Sequence, residues 1–144
     1  MCGGVGGVGE VDGTGRLVRI PRTTYNFSGA ASSVQDVPLT DPFWTHTWAS
    51  CVLSVRLHAK SSFPTSSTAQ VVVQNALRVD DEPNVIYAAD LGNVTVATAD
   101  AAPKLYTLGF SSDIGPMLRL LLRWNQGSTS AVNFALSIDL LGRP

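Results

Sequence analysis

The sequence predicts an all-β protein, an antiparallel β-sandwich with a jelly-roll-like layout of seven to eight strands. Residues 51–60 alternate apolar and polar side chains, and residues 117–142 do so over a longer stretch. A period of two is typical of strands that bury one face. Turn-forming Gly, Pro, Asn and Asp residues separate the apolar stretches, and no stretch shows a clear helical period. This pattern favours a sandwich in which several strands share one core.

The most strongly patterned segment is residues 117–142. Its main apolar row is Leu118, Leu120, Leu122, Trp124, Val132, Phe134, Leu136, Ile138 and Leu140. The polar residues 125–130 interrupt this row, which predicts a hairpin with Trp124 opposite Val132. The same register places Arg119 diagonal to Asp139 on the outer face. Because two strands cannot bury such a face alone, we expect a second apolar sheet to cover it.

Further strands are predicted on both sides of residues 51–60. They are 34–37, 69–79, 85–88, 93–98 and 104–110. Residues 80–84 (Asp-Asp-Glu-Pro-Asn) form the only acidic cluster and are interpreted as a solvated turn, with calcium binding as the alternative. Their spacing does not fit an EF-hand.

Two regions are expected along the chain. Residues 1–24 are predicted to be a flexible arm, since the first fifteen contain seven glycines, and residues 25–144 to be the sandwich domain. Arg16, Arg19 and Arg22 form the only basic cluster, at the end of the arm. It is interpreted either as a contact to a partner or as a short edge strand with solvated charges.

Composition excludes several classes of function. The net charge is −1 and only 15% of residues are charged, which argues against non-specific nucleic-acid binding. Of two cysteines, Cys51 falls on the apolar side of a strand and is predicted to lie in the core. The N-terminus does not resemble a signal peptide, and no stretch is long and apolar enough for a membrane span.

No catalytic, metal or cofactor motif is found. Only His46 and His58 could serve as a general base, and neither lies in a nucleophile motif or has zinc-ligand spacing. We therefore expect a protein that is not an enzyme and needs no metal or cofactor.

Three large aromatic residues lie close together in the segment 40–48. Phe43, Trp44 and Trp48 could stack on a sugar ring if exposed, which gives the alternative function of a carbohydrate-binding module. If buried, they would close one end of the sandwich, and burial is the favoured interpretation because no polar ring for sugar hydroxyls accompanies them.

A few apolar residues interrupt the outward faces of the strands. Leu121 lies between Arg119 and Arg123, and Val52 and Val72 occupy similar positions. Exposed apolar patches usually mark contacts, so Leu121 is predicted to lie at an interface with another subunit. The alternative is cover by the N-terminal segment of the same chain.

A small sandwich with a Gly-rich arm, no catalytic motif and a strand-rich C-terminus ending in residues 139–144 resembles auxiliary structural proteins of tailed-phage virions. These are capsid decoration or cement proteins and small head–tail components. The resemblance implies a structural subunit that binds copies of itself or a shell protein, without a membrane or nucleic-acid partner. It also implies location in the virion after synthesis in the host cytoplasm.

Overall fold

A computed structural model describes residues 8–11, 15–45, 48–79 and 82–144. In this part of the chain every regular element is a strand, and no helix is long and apolar enough to cross a membrane. The strands are β1 (Val8–Val11), β2 (Gly15–Phe27), β3 (Val34–Pro38), β4 (Phe43–Trp44), β5 (Ser50–Lys60), β6 (Thr68–Val79), β7 (Glu82–Val96), β8 (Lys104–Phe110), β9 (Met117–Asn125) and β10 (Val132–Arg143).

The strands form two antiparallel sheets that pack face to face. Sheet A has the order β1-β2-β10-β5-β8, and sheet B has the order β3-β9-β6-β7 with the short β4 also paired to β9. Early strands lie beside late ones in both sheets, β2 beside β10 and β3 beside β9. This interleaving is the jelly-roll arrangement. The predicted fold class is confirmed.

The predicted hairpin of residues 117–142 is wrong. β9 belongs to sheet B and β10 to sheet A, so the two apolar rows meet across the core instead of side by side. Trp124 and Phe134 stack between the sheets with ring centroids 5.9 Å apart. A hairpin within one sheet and two strands in opposite sheets give the same alternation of apolar and polar residues. In either case each apolar row needs one apolar surface against it, and here the opposite sheet supplies that surface. We expected a second sheet to cover the apolar face of the hairpin. Instead, β9 and β10 lie in different sheets and cover each other.

Aromatic side chains close the core at the end where β9 stops and β10 begins. Phe27, Phe63, Trp124 and Phe134 pack together with centroids 5.0 to 5.9 Å apart. The Trp124 indole donates to Gln126 Oε1 at 2.7 Å, and the Gln126 amide donates to the carbonyls of Ser128 and Ser130. Gln126 is thereby satisfied although it is only 2% exposed. Cys51 is buried as predicted, and burial raises the pKa of its thiol to about 11.

The predicted boundary between arm and sandwich at residue 24 is corrected. Residues 15–27 form β2, which is hydrogen-bonded to β1 on one side and to β10 on the other. Val18 and Ile20 lie in the core at 0% and 7% exposure. Polar and basic residues hid the apolar row of this stretch, which is Val18 and Ile20 on even positions and, beyond the bulge at residues 21 and 22, Tyr25 and Phe27 on odd positions. The sandwich domain therefore begins well before residue 25, and residues 1–7 of the predicted arm lie outside the described residues.

The loop from β7 to β8 is held by one carboxylate. Asp100 accepts hydrogen bonds from the backbone N–H of Ala97, from Lys104 Nζ and from the Tyr106 hydroxyl, each at 2.9 Å. The Ala97 N–H and then the Lys104 ammonium lower the pKa of Asp100 to about 2. The carboxylate form is thus favoured in the folded state.

We expect Asp100→Asn to remove a pH-dependent part of the stability. The folded pKa lies below the unfolded value near 3.9, so the contribution is complete above about pH 4 and is lost as pH falls towards 2. Because Asp100 keeps some solvent contact, we expect a loss of about 1 kcal/mol. Urea unfolding of both proteins at pH 5 and pH 2.5 measures this effect. A difference between them that stays constant over this range would contradict it.

Candidate functional site: a groove on the outer face of sheet A

A groove on the outer face of sheet A crosses four adjacent strands. It has a volume of about 450 Å³. One row of paired residues runs Arg19, Asp139, Ser54 across β2, β10 and β5, and the next runs Ser137, Arg56, Leu105 across β10, β5 and β8. Ile20 and Pro21 complete its wall on β2. We call this surface the sheet-A groove.

Two β-bulges flank β10 at the middle of the sheet-A groove. On the β2 side, Leu136 pairs with Thr23 but Ile138 pairs with Ile20, so Pro21 and Arg22 both lie opposite Ser137. On the β5 side, Ala135 pairs with Ala59 and Leu136 with Leu57, which leaves His58 as the extra residue. Bulges redirect side chains and are frequent beside functional sites. Pro21 suits such a position because it has no N–H to donate to a ladder.

The β5 bulge brings His58 to Ser137. His58 Nε2 lies 2.8 Å from Ser137 Oγ. Desolvation and then the positive charges of Arg22 and Arg56 lower the pKa of His58, so the imidazole is neutral at pH 7. No other described side chain hydrogen-bonds the second ring nitrogen of His58. Nucleophile activation needs an oriented base, so this pair does not form a triad.

The sheet-A groove carries an excess of positive charge. Arg19 Nε donates to Asp139 Oδ1 at 2.9 Å. Among the described side chains that line the groove, this is the ion pair. Arg56 forms no hydrogen bond or ion pair with the described residues. Arg22 is exposed and close enough to affect the pKa of His58. With neutral His58, three guanidinium groups face one carboxylate.

The structure separates the predicted basic cluster into two parts. Arg19 lines the sheet-A groove and Arg22 lies at its bulge, whereas Arg16 lies further along β2 and its Nη1 is 3.4 Å from the Trp44 carbonyl oxygen. The edge-strand interpretation is wrong for Arg16, which pairs with β1 and β10, whereas at Arg19 and Arg22 the described residues pair with β2 only on the β10 side. Sequence reasoning missed Arg56, His58 and Ser137 as members of the site. Their outward parity was visible, but the pairing that assembles them was not.

Leu121 is not exposed, which corrects its prediction as an interface residue. It points outward from sheet B as expected, beside its partner Val72, yet the two are 1% and 0% exposed. The exposed Val52, at 40%, fits the predicted pattern. Leu121 is therefore internal to this chain.

A polar network covers Leu121 and Val72. Arg123 binds Asp36 on β3 at 3.0 Å and Asp90 on β7 at 2.8 Å. Gln74 donates to Asp90 at 2.7 Å and accepts from Arg119 Nε at 2.7 Å. Val72 lies between the residues paired with Arg123 and Asp90, so the Arg123–Asp90 ion pair crosses β6 above it. Among the described residues, the cover consists of the strand side chains themselves.

The predicted aromatic platform is not formed. Phe43 and Trp48 are buried, each at 9%, with ring centroids 6.0 Å apart, and they close the core at the end opposite Trp124. Trp44 alone is exposed, at 57%, on the other side of β4. Burial of all three residues was the favoured interpretation; the structure buries Phe43 and Trp48, and the interpretation is wrong for Trp44. A stacking surface of three rings is excluded.

Several predicted features fall outside the described residues. These are His46, Asp80 and Asp81, so the structure does not bear on the acidic turn as a calcium site. Among the residues it does describe, no three His, Cys, Asp or Glu side chains lie close enough to hold a metal ion.

Comparisons with known proteins add one distant structural neighbour. No family model matches the chain, and no curated protein matches its sequence. A solved structure from Bacillus endospore appendages, described as a novel family of disulfide-linked pili, aligns over 92% of this chain and 93% of its own. The identity is 9% and the TM-score 0.38. At that distance, the function must be argued from the residues of this chain.

Proposed function

We propose that this protein is a non-enzymatic structural subunit that binds copies of itself or a shell protein through the sheet-A groove. The observation that carries the proposal is the convergence of two bulges and three arginines on one outer sheet face. A regular solvated sheet face needs neither feature, because a strand without bulges keeps its ladder hydrogen bonds complete. Such a face is built to hold another group.

Apolar side chains beside the sheet-A groove support a protein contact. Leu105 is 59% exposed and lines the groove, and Val52 is 40% exposed two positions before Ser54 on β5. Protein interfaces commonly combine apolar contacts with arginine, which is enriched in them, whereas lysine is depleted. The mixture of Leu105, Val52 and Arg56 therefore matches a protein partner. No cofactor has a role in this proposal.

The finer proposal is an auxiliary virion component, a capsid decoration or head–tail subunit located in the phage particle. It is supported by the small size of the domain, by the resemblance in layout, and by the use of jelly rolls in viral capsids. The fold alone does not imply the function, since lectins and enzymes share it. The experiment described next therefore tests the role of the sheet-A groove residues in self-association.

We expect Arg56→Glu to weaken self-association by about tenfold or more, because it reverses a charge at the centre of the interface. Sedimentation velocity over a range of protein concentrations measures the effect, and electron microscopy shows whether closed rings or open polymers form. Arg143→Glu is the matched control, since Arg143 is also an exposed arginine of sheet A and lies outside the groove.

Two results would count against the proposal. A wild-type chain that stays monomeric at its highest attainable concentration, and that does not bind isolated phage particles, contradicts the structural role. Equal weakening by Arg56→Glu and Arg143→Glu contradicts the assignment of the contact to the sheet-A groove, because the effect would then follow net charge alone.

A further inference from the structure

The sheet-A groove has the chemistry of a carboxylate site. The Arg19 Nε is held by Asp139, which fixes the guanidinium while leaving its two terminal nitrogens without described partners. Arg56 lines the same groove without a hydrogen bond or ion pair to the described residues. A guanidinium presents paired N–H groups that match the two oxygens of a carboxylate. Two such donors in one groove are arranged for an acidic ligand.

Hydroxyl groups add neutral donors to the same groove. Ser54 lies between Asp139 and Thr107 in one row, and Ser137 lies beside Arg56 in the next. When the neutral His58 donates from Nε2 to Ser137 Oγ, the serine hydroxyl proton is available for a ligand. Ser137 lines the groove, so in this tautomer its hydroxyl can donate to a ligand there. A ligand oxygen there would meet both charged and neutral donors.

The size and wall of the groove favour an amino-acid side chain over a polyanion. A volume of about 450 Å³ holds a few side chains, and the exposed Pro21 and Leu105 offer apolar contacts for the methylene groups of an acidic residue. Asp139 lies within the groove and would repel the closely spaced phosphates of a nucleic acid. The chain's net charge of −1 gives such a polyanion no long-range attraction.

We propose that the sheet-A groove binds the carboxylate of a Glu or Asp side chain, presented by an extended segment of a neighbouring subunit, between Arg19 and Arg56. This inference rests on the proposed function, because the acidic residue is supplied by the assembly partner. It names Arg56 as the main anchor and Ser137 as the neutral donor. The positive charge of Arg22 raises the local potential from the edge of the groove.

The test uses the full chain and a capped peptide with two glutamates separated by one residue. In an extended peptide both side chains point to the same side. The control is the same peptide with glutamine in place of glutamate, which keeps the shape of the side chains but removes their charge. Amide and guanidinium NMR signals report binding, and we expect shifts of Arg19, Arg56 and Ser137 with the glutamate peptide only. Arg56→Ala should weaken binding by about tenfold, as removal of a charged hydrogen-bonding partner does.

Two further variants refine the test. Arg56→Lys keeps the charge but loses the two-pronged donor, so we expect most of the weakening to remain. Arg143→Ala lies outside the groove and should change the affinity by less than about twofold.

Three results would overturn the inference. They are equal binding of the glutamine peptide, shifts confined to residues outside the groove, and much tighter binding of inorganic phosphate or a sulfated oligosaccharide. Self-association without glutamate-peptide binding would reject this inference and keep the proposed function. Glutamate-peptide binding by a chain that never associates and binds no phage particle would keep the carboxylate site but reject both the proposed function and the neighbouring subunit as the source of the carboxylate.

Discussion

Replacement of Leu121 by aspartate is expected to destabilise the fold by at least about 3 kcal/mol, which is a large share of the stability of a typical domain. Leu121 is 1% exposed beneath the network of Arg119, Arg123, Asp36 and Asp90. The substitution removes a buried leucine and places a charge where only apolar contact exists. The result would be loss of the folded state under mild denaturing conditions.

Arg123 does not compensate for the new charge, because it already pairs with Asp36 and Asp90. Arg119 is held through its Nε by Gln74, and a new carboxylate would have to draw it away from that position. The pKa of Asp90 is lowered mainly by its hydrogen bond from Arg123, which shows that this carboxylate is ionised and engaged. A third carboxylate beside two others would be repelled, so the network itself is expected to loosen.

The matched control for Leu121→Asp is Leu105→Asp. Leu105 is also an outward-facing leucine of a strand, but it is 59% exposed. Its substitution is expected to change the free energy of unfolding by no more than about 0.5 kcal/mol. Urea unfolding followed by tryptophan fluorescence measures both variants. A stable Leu121→Asp protein with a normal unfolding midpoint would show that Leu121 has access to solvent.

Leu121 also shows what a strand pattern can and cannot predict. Its parity correctly placed it on the outer face of sheet B, because side-chain direction alternates along a strand regardless of neighbours. Its burial depends on Asp36 and Asp90, which are distant in sequence and reach Arg123 only through the pairing of β3 and β7. The direction of a side chain follows from its position in its own strand, whereas its burial depends on residues that are distant in sequence. An outward apolar residue flanked by two arginines is ambiguous until the partners of those arginines are known.

The placement of β9 and β10 in different sheets was missed for a related reason. An apolar row on one face requires an apolar partner but does not specify whether that partner lies beside it or across from it. The connection from Gln126 to Ala131 is long enough to cross between sheets about 10 Å apart, and it does so. Only the whole interleaved strand order decides between a hairpin and a crossover, and that order is not encoded in either strand alone.

The candidate site was the least predictable part of the molecule. Arg19 and Arg22 were recognised because they are close together in sequence, but Arg56 and Ser137 join them through β-sheet pairing. The two bulges depend on one or two extra residues in otherwise regular strands. Pro21 was the available signal, since a proline inside a strand usually marks an edge or a bulge.

Gly142 is expected to be a highly restrictive position, because Trp48 lies against its Cα. A methyl group at Gly142 would be 1.9 Å from Trp48 Cε2 and 2.0 Å from Trp48 Cδ2. The backbone cannot move away easily, since Gly142 pairs with Cys51 on one side and Arg16 on the other. Gly142→Ala must therefore displace the indole from the end of the core. We expect a loss of about 2 to 4 kcal/mol, the range found for overpacking and for loss of a buried aromatic.

A double-variant cycle with Trp48→Ala separates this clash from the general effect of the substitution. In the Trp48→Ala background the obstructing ring is gone, so Gly142→Ala should become neutral or stabilise by about 0.5 kcal/mol, the usual advantage of Ala over Gly in a strand. Gly109→Ala is the matched control, because no heavy atom lies within 4 Å of the added methyl group. Thermal and urea unfolding of the four proteins give the coupling free energy. A Gly142→Ala penalty that persists without the Trp48 ring would place the conflict in the backbone and reject the role of Trp48 as the cap of this core.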